Sequence, residues 1–147
     1  MQHCRKCPDA VAKIRGGVEV PKLSGCIRFY QQKGCVLIVA EIFGLPRENE
    51  TGFFGFHIHQ GESCSGTGFS ETGSHYNPVD QVHPKHAGDL PPLMCCRGNA
   101  YLAVKTDRFT VHDIIGKTVV IHSDPDDFHT QPAGNAGKKI ACGVIRK

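Results

Sequence analysis

Two imidazoles stand two residues apart in GFHIHQ, as His57 and His59, directly after the apolar run GFFGF. Successive side chains on a β-strand point to opposite faces, so Phe54, Phe56 and Ile58 share one face while Gly55, His57 and His59 share the other. At a rise of about 3.3 Å per residue the two histidine Cα atoms lie about 7 Å apart on one side, so both rings can reach a single metal ion. Alone the pair decides little, because short motifs recur without function. More donors follow in His75, His83, His86 and Asp89, spaced by eight, three and three residues. Imidazole and carboxylate are the donors of a tetrahedral zinc site, with Zn–N distances of about 2.0–2.1 Å, and four protein ligands make a closed structural shell. His122 ends KTVVIH, where it can meet His57 and His59. Three strand histidines and one shared from the loop suit copper, because imidazole serves both of its oxidation states.

These donors need strands and loops to carry them. The segments AVAKIRGG, LSGCIRFYQQ, CVLIVAEIFGL, TGFFGFHIHQ, NAYLAVKTDRF, KTVVIH and KKIACGVIR read as strands, QQKGC as a hairpin turn and TVHDIIG as a short helix or turn. With 17 Gly, 9 Pro and no Trp, the chain is expected to be all-β. Residues 61–92 show no sustained period and read as one long loop; Pro84 and Gly88 argue against a helix through HPKHAGD. A bound metal is expected to supply the order this loop's sequence lacks. A shorter loop follows Asp124 and Pro125.

The 147 residues suit one domain, 9–147, preceded by a tail at 1–8. A net charge of +3 from scattered lysines such as Lys13, Lys22, Lys33 and Lys117 gives no nucleic-acid footprint. Neither a membrane span nor an apolar leader is evident in MQHCRKCPDA, so a cytoplasmic location is expected, with a processed secreted or periplasmic form as the alternative. Eight cysteines do not settle the compartment.

GFHIHQ, GSHYNP, HAGDL, VVIH followed by DD, and GNAGKKIACGVI occur in an order and spacing that resemble the copper/zinc superoxide dismutases, of the bacterial-like kind, over roughly residues 10–147. The resemblance implies an eight-stranded Greek-key β-barrel or sandwich, immunoglobulin-like, with two long functional loops over the metals. It implies one copper per chain on His57, His59, His75 and His122, and one zinc on His75, His83, His86 and Asp89, so that His75 bridges. It implies that Asp126, ahead of Asp127, links His57 to His83, and that Cys64 pairs with Cys142. The implied reaction converts superoxide to oxygen and hydrogen peroxide, with His75 as ligand and proton carrier. Lys139, with Lys138 beside it, stands where the family usually has arginine; lysine keeps the positive charge that attracts an anion but not the planar fork of donors. A copper donor and a homodimer are the partners to expect.

Cys26, Cys35, Cys95 and Cys96 are expected to be buried free thiols. Cys4 and Cys7 form one C-x-x-C, a weak zinc signal that His3 does not complete. His112 and His129 read as surface residues. The rival from another class is a metal-binding carrier or store with little turnover, in which His3, Cys4 and Cys7 help capture copper. A zinc-only module would be expected to have lost a copper histidine, and a zinc hydrolase needs an open coordination position.

Overall fold

The structure, a computed structural model, describes residues 6–47 and 49–147. His3, Cys4 and most of the expected tail therefore lie outside the described residues. The strands are β1 (Ala10–Gly16), β2 (Ser24–Gln32), β3 (Cys35–Phe43), β4 (Phe53–Phe54), β5 (Phe56–His59), β6 (Leu93–Met94), β7 (Ala100–Thr106), β8 (Thr118–His122) and β9 (Lys139–Arg146), with one short helix α1 (Val111–Ile114).

Alternation shapes the large sheet. Ala10, Ala12 and Ile14 of β1, Ile27 and Phe29 of β2, and Val36, Ile38, Ala40 and Ile42 of β3 all point inward and are buried. Each fully buried Ile or Phe contributes about 1.5–3 kcal/mol relative to exposure, which fixes the register, since a one-residue slip would turn every one of them outward. Seven strands run antiparallel in the order β5-β8-β9-β1-β2-β3-β7. The hairpin between β2 and β3 is closed by Lys33 and Gly34, and Gly34 takes φ +75°, a conformation that costs glycine little.

The strand expected through TGFFGFHIHQ is divided. Gly55 leaves the ladder, donating to Asp124 O at 2.8 Å and accepting from His122 N at 2.8 Å. Phe53 and Phe54 instead pair with Leu93 and Met94, a strand that no period in the sequence announced. Since β4 runs into β5 and β6 turns into β7 at the Cys96–Asn99 bridge, this ribbon lies between the two edges of the curled sheet. Counting β4 and β5 as one interrupted strand recovers the expected eight.

Cys64 and Cys142 form the expected disulfide, tying the long loop to β9 across 78 residues. Closing a loop of that size corresponds to about 4–5 kcal/mol on the chain-entropy relation, with strain and residual structure usually reducing it. The other cysteines correct the expectation of burial. Cys26, Cys35 and Cys95 are only half-buried and Cys96 is exposed, as is Cys7. Cys26 alternates with Ile27 and Cys35 with Val36, so both side chains face outward. His112 and His129 are exposed, as expected.

Candidate metal centre

His57 and His59 sit on β5 at the edge of the large sheet, and all four residues of β5 are buried. The long loop covers them. Its backbone is stitched to the free edge of β5: Tyr76 N donates to Ile58 O at 2.8 Å, Ile58 N to Gly88 O at 2.9 Å, and Gln60 N to Ser74 O at 2.9 Å. His57 faces Asp89 and His59 faces His75 across this seam. Gly88 is required there, because a Cβ at that position would run into the carbonyl of Ile58. The order of the loop therefore does not come from metal alone, which corrects the sequence reading. Two short 3-10 turns within Thr67–Thr72, separated by a kink where Gly68 and Phe69 take positive φ, lie within it.

His122 arrives through a register irregularity. Ile121 pairs with Ala141, but His122 pairs with Lys139, so Ile140 is the extra residue of a bulge in β9. Bulges beside sites re-aim side chains, and this one sets His122 and Lys139 opposite each other at the end of the sheet.

Two sets of donor atoms converge. His57, His59, His75 and His122 each offer one atom within 4.8 Å of the others, and so do His75, His83, His86 and Asp89. His75 belongs to both sets. Its ring centroid lies 4.0 Å from that of His57 and 4.9 Å from that of His59 on one side, and 5.4 Å from that of His86 on the other. Its Nδ1 is 2.7 Å from Asp89 Oδ1 and 3.4 Å from His86 Nδ1.

The outward ring nitrogens of His57, His59 and His83 are engaged. Asp126 accepts from His57 Nε2 at 2.7 Å and from His83 Nε2 at 2.8 Å, so it joins the two sets as expected. Gly134, at φ +71°, lies against this carboxylate, where a Cβ would collide with it. Asp127 instead caps its own turn, accepting from His129 N at 2.9 Å and Thr130 N at 2.8 Å. His59 Nδ1 donates to Gly73 O at 2.8 Å.

Three of the inward nitrogens are not engaged. His57 Nδ1, His75 Nε2 and His83 Nδ1 are buried and have no hydrogen-bond partner, and His59 Nε2 meets His122 Nε2 at 3.2 Å. Buried polar atoms are normally satisfied, and lone pairs turned towards one another repel. A cation among them would remove both costs, so the residues present fit copper in the all-imidazole set and zinc in the set with the carboxylate.

The electrostatics agree. Burial lowers the pKa of His57, His59 and His122, that of His122 to about 3, with neighbouring imidazoles adding to the shift in each case. Each ring is thus biased towards the neutral form that can ligate. Burial would raise the pKa of Asp89 and of Asp126, but hydrogen bonds from His75 to Asp89 and from His57, Phe128 N and His83 to Asp126 hold both below the usual carboxylate range.

A family model described as copper/zinc superoxide dismutase matches residues 23–145. The chain belongs to the copper/zinc superoxide dismutase family. It is 35% identical over 154 aligned positions to superoxide dismutase [Cu-Zn] 3 of Arabidopsis thaliana, covering 92% of this chain and 88% of the relative. It is 39% identical over 126 positions to superoxide dismutase [Cu-Zn] 2 of Aquifex aeolicus, covering 76% and 72%, and 31% identical over 159 positions to superoxide dismutase [Cu-Zn] of Onchocerca volvulus, covering 93% and 94%.

Lys138 and Lys139 differ in their surroundings. Lys138 Nζ lies 3.5 Å from Glu19 on the exposed rim. Lys139 Nζ donates to Thr72 Oγ1 at 2.8 Å and to Gly73 O at 3.0 Å, both uncharged, and has no ion-pair partner among the described residues. Partial burial lowers its pKa. Because Gly73 O also accepts from His59, one carbonyl spaces the lysine from a histidine of the four-imidazole set. Thr72, Gly73, Arg108 and Gln131 contribute to the site without having been singled out from sequence. No helix among the described residues is long and apolar enough to cross a membrane.

Proposed function

We infer that this superoxide dismutase holds copper on His57, His59, His75 and His122 and zinc on His75, His83, His86 and Asp89, with His75 common to both. The three orphaned, buried ring nitrogens carry this reading. Copper bound there supplies the one-electron chemistry that oxidises one superoxide to oxygen and reduces the next to hydrogen peroxide. The chain's own groups do the rest. His75 Nε2 takes up a proton and gives it to the reduced product, which takes its second proton from water, while Nδ1, beside Asp89 and His86, keeps the ring in place. Asp126 holds the proton of His57 and of His83 on Nε2, so that each Nδ1 keeps its lone pair. Lys139 attracts the anion and orients it beside the four imidazoles. Reconstitution tests the reading: one copper and one zinc per chain and copper-dependent superoxide consumption are expected. Full metallation without turnover would instead return the carrier reading, for which a complete copper set, a zinc set and an unpaired channel cation are not needed.

Lys139 makes a measurable contribution of its own. Its replacement by Gln should lower kcat/KM by about tenfold at low ionic strength, the lower end of what focused fields supply, and flatten the fall of rate with added salt. Lys139→Arg should keep the salt dependence. Rates measured by pulse radiolysis across ionic strength decide it; an unchanged salt slope in Lys139→Gln would assign the guidance to other charges.

A second copy of the chain is the partner its surface favours. Phe53 pairs with Met94 in the β4–β6 ribbon, which runs into β7 through the turn at Cys96–Asn99, and on β7 Tyr101 pairs with Glu41, two residues along β3 from Phe43. These four are 39%, 64%, 66% and 51% exposed, forming an apolar row across β4, β6, β7 and β3. Such side chains supply about half of the roughly 800 Å² that a stable interface buries per partner. The outer face of β1 and β9 instead carries Lys13, Arg15 and Arg146 without ion-pair partners among the described residues, so self-pairing there would oppose like charges. Sedimentation should show a dimer that Met94→Arg dissociates and Arg146→Glu leaves intact; a dimer surviving Met94→Arg would place the interface elsewhere.

A further inference from the structure

The segment His83–His86 contributes two of the four donors in the set that contains Asp89, yet it has little backbone bonding of its own. Pro84 has no N–H, and the local contacts are Lys85 N to Val82 O at 2.8 Å and Asp89 N to His86 O at 3.1 Å. His86 N donates to Asp89 Oδ2 at 3.0 Å, and both backbone groups of His83 and the carbonyls of Pro84 and His86 are taken by two side chains from distant loops. Arg108, after β7, donates through one guanidinium nitrogen to Pro84 O and to His86 O, each at 3.0 Å. Gln131, in the loop after β8, accepts from His83 N at 2.9 Å and donates to His83 O at 2.7 Å, so one amide satisfies both backbone groups of that histidine.

We propose that Arg108 and Gln131 are positioning residues that hold the His83–His86 backbone in its zinc-ligating form before metal binds. The argument is geometric. A ring is aimed by its backbone as well as by its outer nitrogen. Asp126 governs the outer nitrogen of His83, at 2.8 Å, while Gln131 governs the backbone from which that ring hangs. The outcome is visible at the inner nitrogen: His83 Nδ1 is buried, unpartnered and 3.1 Å from Asp89 Oδ2. Arg108 spans Lys85, fixing the spacing between the carbonyls of Pro84 and His86 and hence the approach of His86 to the same carboxylate, at 3.2 Å. Arg108 is the stronger clamp, because its bonds are charge-assisted and its planar donor group reaches two acceptors at once. Neither side chain is a member of the donor set, so each acts through the ligands and not on the metal.

The inference rests on the zinc assignment above, and the experiment separates the two. Zinc affinity is measured by competition with a chelating dye on disulfide-bonded, metal-free protein. Site geometry is read from the visible d–d bands of Co(II) in place of zinc. Arg108→Ala and Gln131→Ala should each bind zinc about tenfold more weakly than wild type, near the lower end for outer-shell changes because both side chains are exposed. Both should shift the Co(II) bands. Arg108→Lys should recover part of the loss by retaining one donor to one carbonyl. Wild-type affinity in Gln131→Ala together with either Arg108 variant overturns the proposal. So does a loss that follows a lowered Tm of the metal-free protein with the wild-type Co(II) spectrum retained, since a merely structural contact behaves that way. Should Arg108→Ala fail to fold, Arg108→Lys and Gln131→Ala carry the test. His83→Ala is the separate control: unaltered zinc affinity there refutes the ligand assignment itself, whereas sensitivity at His83 with none at Arg108 and Gln131 refutes the clamp alone.

Discussion

Protein carrying His122→Ala, loaded with zinc and offered copper, is expected to consume superoxide at least about 100-fold more slowly than wild type, more than outer-shell changes at metal sites typically cost. The reason is local. His122 is set opposite Lys139 by the bulge at Ile140, and its Nε2 lies 3.2 Å from His59 Nε2 in the all-imidazole set. Truncation leaves that set with three imidazoles. His83, His86 and Asp89 are untouched, so zinc uptake should persist and serves as the control for folding. The side chain belongs to the metal site and not to the apolar core formed by Val119 and Ile121 on the same strand, so the barrel should survive its loss. Copper uptake by equilibrium dialysis and superoxide consumption are measured on both proteins. Equal and negligible turnover in the two, both fully metallated, would leave a copper carrier as the better reading.

The two donor sets were legible because two simple rules point to them. Strand alternation put His57 and His59 on one side, and donor chemistry separated a set with a carboxylate from one without. The strands that hold them followed from apolar alternation, as in β1, β2 and β3. What escaped was set by contacts with no local signature. Leu93 and Met94 form a strand because Phe53 and Phe54 need a partner once Gly55 turns to Asp124 and His122. The order in the long loop comes from the free edge of β5, and a sequence window around residue 75 contains no trace of Ile58 or Gly88 as its partners. Arg108 and Gln131 act across 22 and 48 residues on backbone groups that every residue possesses, so nothing in their spacing points to their targets. The cysteines differ. Cys26 and Cys35 alternate with buried Ile27 and Val36, so their outward position was written in the pattern and was overridden by the general tendency of free cysteine to be buried.

Asp126 provides the sharpest separation between packing and protonation. Its two oxygens accept from His57 Nε2, His83 Nε2 and Phe128 N at 2.7, 2.8 and 2.7 Å, and both rings are fully buried. Asp126→Ala strands these donors, and breaking a buried charged network typically costs about 3–5 kcal/mol. The metal-free protein should lose stability on that scale, and affinity for both metals should fall by about 10–100-fold. Asp126→Asn keeps the volume but replaces one acceptor oxygen with an NH2 group. The ring that faces this amide must accept on Nε2 and therefore carry its proton on Nδ1, the atom that is buried and unpartnered in both His57 and His83. One metal set then loses a lone pair while the other keeps its own. The Asn variant should accordingly lose about tenfold or more in affinity for one metal and little for the other, whereas the Ala variant loses both. Isothermal titration of each metal into the two variants, with thermal unfolding of the metal-free forms, reads the difference. Identical losses in Asn and Ala variants would show that Asp126 acts by filling space and bracing the loops, and that the tautomers of His57 and His83 are set by something other than its carboxylate.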